Sequence, residues 1–232
     1  MWGGERRSVS ISTGKERLMS EENRKAIRIS VRNLVEFVLR SGDIDNRRSG
    51  NAQKDAMLAG GRIHRKIQKR MGSGYRAEVP LKHEVTDDEQ EIVLSVEGRA
   101  DGIFTENGIT VIDEIKGMYT DVARLEAPIE VHLAQAMCYG YFYCCDKDLD
   151  GIRLQLTYCN LETEEIRRFQ TDRSKEELEQ WFSGVVHEYF KWARYLYHHE
   201  LTRDASIGHL EFPFPYRAGQ RDLVVSVYRT VS

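Results

Sequence analysis

No stretch of the sequence approaches the roughly 18 apolar residues that a membrane-crossing helix needs. The first residues, MWGGERRSVS, lack the apolar core of a secretory signal. Those absences argue against a membrane partner and lead us to expect a cytoplasmic location. Four cysteines are present, Cys138, Cys144, Cys145 and Cys159, and none forms the CxxC spacing of a structural zinc or redox dithiol. An iron-sulfur cluster needs four well-placed thiolates, and two of these four are adjacent in a segment that reads as buried helix, so no cluster is expected. Neither an internal repeat nor a GxxxxGK[ST] phosphate loop occurs, so no ATP site is expected within these residues.

An excess of positive charge is missing too, since the chain carries a net −3. That total hides a division. Residues 1–76 hold 18 Lys and Arg against 8 Asp and Glu, and residues 77–232 hold 16 against 29, giving +10 and −13. The basic half suits phosphates, or it is a solvated helical surface. With 232 residues, 41% of them hydrophobic and 31% charged, the chain has the size and composition of one globular domain with an appendage.

Residues 1–26 are polar and without hydrophobic period, which predicts a flexible leader, with Met19 a candidate natural start. Ile27, Val31, Leu34, Val35, Val38 and Leu39 recur at helical spacing and predict a first helix over 27–39. A turn-rich stretch, SGDIDNRRSGNA, separates it from a second helix over 54–71, closed by Gly72 and Gly74. Alternation then predicts strands over 75–85, 91–104 and 109–115, joined as a meander by DDEQ and the turn at ENG. A helix over 129–145, strands over 152–160 and 165–171, and a long helix from Lys175 to about Glu200 follow. Ser174, with Glu177 three residues on, caps that last helix. The order ααβββαββα predicts an α/β domain with a mixed sheet and helices on its faces.

The segment GRADGIFTENGITVIDEIKG, Gly98 to Gly117, carries the chemistry. One strand presents Asp101, a tight turn reverses the chain, and the next strand presents Glu114 and Lys116. Strand alternation puts Glu114 and Lys116 on one face and Asp113 and Ile115 on the other. Two carboxylates plus the Ile115 carbonyl suffice for a hard cation such as Mg2+, which prefers oxygen ligands and keeps several waters. Such an ion polarises a phosphate and acidifies a bound water, while Lys116 orients the water or balances charge on phosphorus. A surface ion pair between Glu114 and Lys116 is the plainer alternative. The apolar neighbours Ile109, Val111, Ile112 and Ile115 instead indicate a strand covered on both faces, where an acid and a lysine must be paired or bind metal.

An Asp, a turn and then Glu-x-Lys on the next strand resembles the PD-(D/E)XK nuclease superfamily, and the flanks resemble its RecB-like branch. Gly61-Arg62-Ile63-His64 is similar to that branch's G-x-x-H on an upstream helix. Gln135 and Tyr139 in QAMCY match its Q-x-x-x-Y. The resemblance spans roughly residues 54–170 and departs at Ala100, where the superfamily's name has proline. It implies a restriction-endonuclease-like α/β core and a Mg2+- or Mn2+-dependent deoxyribonuclease. Asp101, Glu114, Lys116, Gln135 and Tyr139 would be catalytic, and His64, Asp101, Glu114 and the Ile115 carbonyl would hold the metal. The helix of His64 also carries Arg62, Arg65, Lys66, Lys69 and Arg70, which would hold DNA phosphates. Gln135 and Tyr139, four apart on one helix face, would contact the DNA backbone or brace Lys116. Glu78, on the first strand, is a further candidate acidic ligand.

The chain's end, EFPFPYRAGQRDLVVSVYRTVS, resembles the segment preceding the first ATP-binding motif of DinG-like and XPD-like DNA helicases, through Phe214, Pro215, Tyr216, Arg217, Gly219 and Gln220. The resemblance implies a nuclease domain over 27–205, then a linker and the start of a truncated helicase motor over 206–232. The motor would continue in the same polypeptide, and the substrate would be DNA that is single-stranded or frayed at its ends. The apolar run Leu223 to Val231 has helical spacing, and such a stripe calls for a partner surface to cover it. Competing readings are a catalytically inactive DNA-binding module of a helicase and an RNA-directed or structural accessory domain.

Overall fold

Lys25, Ala26, Ile27, Arg28, Ile29 and Ser30 alternate between outward and inward positions, and in the computed structural model they form strand β1 (Lys25–Ser30). The structure describes residues 24–40, 51–89, 91–210 and 213–231, with the side chains of 51–57 and 231 apart. The expected single helix over 27–39 is thereby corrected. Its first half is a strand paired in parallel with a distant one, Ile27 opposite Leu94, and only α1 (Val31–Val38) is helical. Ser30 marks the change, its hydroxyl accepting from the Asn33 N–H at 3.1 Å as an N-cap. The expected leader lies outside the described residues except at its end, where Lys25 and Ala26 belong to β1.

The remaining elements follow in the expected order. They are α2 (Asn51–Arg70), β2 (Arg76–Thr86), β3 (Ile92–Glu106), β4 (Ile109–Met118), α3 (Glu130–Lys147), β5 (Gly151–Asn160), β6 (Ile166–Ser174), α4 (Lys175–Ile207) and α5 (Gln220–Val231). Among the described residues six strands make one mixed sheet, running β1-β3-β4-β5-β6 with β2 also paired to β3. The meander is present, since β2–β3 and β3–β4 are antiparallel, whereas β4 and β5 are parallel and joined through α3. This is the α/β architecture of a mixed sheet with helices on its faces.

Two helices sandwich the centre of the sheet. On one face Ile63 and Ile67 of α2 pack against Ile115 and Cys159, each isoleucine contributing roughly 1.5–3 kcal/mol through burial. On the other lies α3, whose residues from Ala134 to Cys144 are all buried, with Leu154, Leu156, Leu178 and Phe182 completing that core. The α4 cap forms as expected: Glu177 N–H donates to Ser174 Oγ at 3.2 Å, and Ser174 N–H to Glu177 Oε2 at 2.9 Å. All four cysteines are free thiols.

The chain divides into two units, residues 1–191 and 192–232. In the second, the run expected to be helical is α5, and Leu223, Val224, Val227 and Tyr228 are exposed on it. Among the described residues no helix is long and apolar enough to cross a membrane.

Candidate metal and catalytic site

Three acidic residues fall in one row across three neighbouring strands. The β3–β4 ladder ends at Gly102 opposite Asp113, so the next step sets Asp101 against Glu114. The β2–β3 ladder pairs Ala77 with Gly102 and Val79 with Ala100, so Glu78 lies opposite Asp101 on the other side. Neighbouring strands run about 4.8 Å apart, and the row therefore gathers three carboxylates within a short span.

Each member of the row is held differently. Asp101 Oδ2 accepts the backbone N–H of Ile115 at 2.7 Å, which fixes its carboxylate where the β3–β4 ladder stops. Asp101 Oδ1 lies 3.3 Å from His64 Nδ1 on α2. Glu114 Oε1 lies 2.8 Å from the Lys116 ammonium, and Lys116 also donates to Gln135 Oε1 on α3 at 2.7 Å. Gln68, one turn beyond His64, donates both to Glu78 Oε1 at 3.1 Å and to the Asp101 carbonyl at 3.0 Å.

Glu114 is buried, at 4% exposure, and its Oε2 has no hydrogen-bond partner among the described residues. Burial, reinforced by the charge of Asp101, raises its pKa well above the usual carboxylate range in spite of Lys116 and His64. For His64, burial pulls the imidazole pKa down, but the hydrogen bond to Asp101 and the charges of Asp101 and Glu114 outweigh it, and the net shift is upward. A buried acid with an orphaned oxygen is costly to a fold. It is the arrangement a hard cation would relieve. The ligating atoms of His64, Glu78 and Asp101 also lie within 4.8 Å of one another. Carboxylate oxygens and one imidazole are donors that Mg2+ or Mn2+ accepts, so the residues present fit such an ion.

Of the residues singled out in the sequence, His64, Asp101, Glu114, Lys116 and Gln135 are joined in this one network. Ile115 enters it through its N–H, and its side chain is fully buried beneath α2. Tyr139 shares the α3 face of Gln135 but packs over Gly98, where a Cβ would stand 2.6 Å from its hydroxyl oxygen. Burial first, then Glu114 and Asp101, raise the Tyr139 pKa, so it stays a neutral phenol. The five basic residues singled out on α2 separate into two groups. Lys66 and Arg70 both pair with Glu164 at the β5–β6 turn. Arg62, Arg65 and Lys69 are exposed and make no side-chain pairing among the described residues.

Sequence reading had no role for Gln68, although its spacing of four from His64 put it on the same helix face. The partners of Asp113 were not foreseen either. Its carboxylate is fully buried and accepts from Thr157 Oγ1 at 2.6 Å, Gln155 Nε2 at 3.0 Å and the Tyr75 hydroxyl at 3.0 Å. Tyr75 reaches it by lying against Gly102, where any Cβ would stand 1.8 Å from the ring. Glycine is needed there for that close approach.

No protein-family model and no curated protein sequence matches the chain. Among solved structures, it is similar to SSO0001, with 18% identity, a TM-score of 0.45, and 72% of this chain and 77% of that one covered. It is also similar to an alkaline exonuclease, LHK-Exo, from Laribacter hongkongensis, with 12% identity and a TM-score of 0.45, covering 77% of this chain and 93% of the exonuclease.

Proposed function

We propose that this chain is a Mg2+- or Mn2+-dependent deoxyribonuclease of the PD-(D/E)XK type, acting on single-stranded or frayed DNA. The observation that carries the reading is the orphaned Glu114 Oε2, in a row with Asp101 and beside a lysine that is itself held by Gln135. Asp101, Glu114, His64 and the Ile115 carbonyl would hold the cation. When bound, it would supply charge to the scissile phosphate and acidify a water.

The chain's own residues do the rest. Lys116, pinned by Glu114 and Gln135, holds its ammonium toward the attacking water and offsets charge building on the phosphate. His64 and Gln68 fix Asp101 from its carboxylate and carbonyl sides, which keeps the acid in place without reorganisation during the reaction. Arg62, Arg65 and Lys69 offer exposed cations for the DNA backbone. Lys66 and Arg70 must leave Glu164 to do the same. Tyr139 lines the site as a neutral donor.

The helicase-like motif in residues 206–232 supports reading that segment as a linker and the start of a DNA helicase motor in the same polypeptide, with the nuclease in the cytoplasm. The experiment is cleavage of end-labelled single- and double-stranded DNA with Mg2+, Mn2+ or EDTA. The reading expects cleavage with either metal, faster on single strands, and none in EDTA. Cleavage that persists in EDTA would overturn it.

A further inference from the structure

Among the described residues four non-glycine residues have left-handed backbone, and three of them lie where that conformation is ordinary. Asn107 is in the β3–β4 turn, Asp148 is the αL cap of α3, and Glu164 is in the β5–β6 turn. The fourth, Glu78, has φ 54° inside a strand, with ladder pairs on both sides of it. A non-glycine residue held so is strained and persists only where its surroundings impose it. Here the register skips the pair Glu78 and Asp101, and the Asp101 carbonyl accepts from Gln68 instead. The same Gln68 amide holds Glu78 Oε1. Glu78 is exposed and reachable from solvent, yet its carboxylate is tethered beside His64 and Asp101.

Strain and a tether do not by themselves indicate a ligand. The pointer is Glu114 at the other end of the row, buried and with Oε2 unpartnered. Asp101 stands between the two acids in the row: its carboxylate clusters with the His64 imidazole and the Glu78 carboxylate, and its charge also acts on Glu114.

We propose that Glu78 is a further metal-binding carboxylate of this site, and that Gln68 is the positioning residue that aims it. The inference rests on the metal-dependent reading above and adds to it one ligand and one residue acting through that ligand. The left-handed turn at Glu78 is then the cost of directing an exposed strand carboxylate at Asp101.

The test is calorimetric titration of the whole chain with Mn2+, paired with thermal unfolding of the metal-free protein. Glu78→Gln and Glu78→Asp should each weaken Mn2+ binding about tenfold or more, since the first removes the charge and the second keeps it but shortens the reach. Glu78→Gly should raise the metal-free melting temperature by a few degrees, because glycine adopts this backbone without strain, and weaken Mn2+ binding as much as Glu78→Gln. Gln68→Met should weaken binding about tenfold, the scale for loss of a residue that orients a metal ligand. Glu78→Asp or Glu78→Gln binding Mn2+ as the unaltered chain does would overturn the inference. If Glu114→Gln still abolished binding, the metal site itself would stand. An unaltered chain that takes up no Mn2+ would overturn both.

Discussion

Asp113 and Glu114 are adjacent on β4 and both buried, yet their surroundings differ in kind. Asp113 points to the α2 side and has three donors on its two oxygens, from Thr157, Gln155 and Tyr75. Glu114 points to the α3 side, spends one oxygen on Lys116 and leaves the other without a partner. Burial raises the pKa of each acid. A buried acid whose hydrogen bonds are complete belongs to the architecture, and one left incomplete beside a tethered lysine is available for chemistry. One strand thus carries, at adjacent positions, a carboxylate with its hydrogen bonds complete and one with an oxygen left unpartnered among the described residues.

The largest expected effect is at the incompletely partnered acid and its neighbours. Glu114→Ala, Asp101→Ala or Lys116→Ala should each lower metal-dependent cleavage on the order of a thousandfold, the scale of losing one electrostatic participant in a transition state. The folded state should survive, as read by circular dichroism and melting temperature. In the metal-free protein Glu114→Ala removes an unpartnered buried oxygen but also the carboxylate paired with Lys116, two opposed effects on stability. Cleavage retained in these variants would erase the distinction.

Asp113→Ala should do the reverse. It strands three donors and should lower stability by about 2–4 kcal/mol, measured by urea unfolding. Cleavage per folded molecule should change by no more than about threefold. A loss of cleavage as large as that of Glu114→Ala, at equal folded fraction, would show that the two acids act as one unit.

The third prediction concerns pH. The Glu114 pKa is raised, foremost by burial and then by Asp101, so the metal-free folded chain keeps a proton that the unfolded chain has already lost. The folded state binds more protons in that window, so this group's contribution to stability is full below the unfolded value, near 4.5, and is lost as pH rises through the folded one, at about 7. A cation that needs the ionised acid has the opposite dependence. The rise in melting temperature on adding Mn2+ should therefore be small at about pH 5.5 and large at about pH 8. Equal stabilisation at both would contradict the part given to Glu114.

The smallest effects belong to α2. Arg62→Ala and Arg65→Ala should each reduce the slope of log binding constant against log salt by about 0.7–0.9. Lys66→Ala should do less, because Lys66 is already paired with Glu164. Binding of single-stranded oligonucleotide across a salt series, without metal, measures this, and equal slopes for all three variants would remove the division of the basic face.

Much of the site was legible because it is local in sequence or regular in period. Asp101, the turn and Glu114-x-Lys116 lie within one hairpin, and alternation alone separated Glu114 from Asp113. Gln135 and His64 came from a resemblance, and the hydrogen bonds of Lys116 to Gln135 and of Asp101 with His64 give those matches physical content. What escaped was long-range. β1 pairs with residues 67 positions away, Lys25 with Ile92, and Ile27 followed by Val31 is compatible with a helical period as well as with a strand's end. The Ser30 cap was the available local signal. The Asp113 network draws on Gln155 and Thr157 of β5, which sheet register, and no short spacing, brings together. The backbone of Glu78 had no signature, since nothing in RAEVPL calls for a left-handed residue.

The most direct measurement compares Mn2+ binding by the unaltered chain, Glu114→Gln and Asp113→Asn in one calorimetric series near pH 8. Binding by the unaltered chain and by Asp113→Asn, with Glu114→Gln weakened about a hundredfold or more, is the predicted result. Equal affinity of Glu114→Gln and the unaltered chain would contradict the claim that the unpartnered oxygen of Glu114 is where the metal is held.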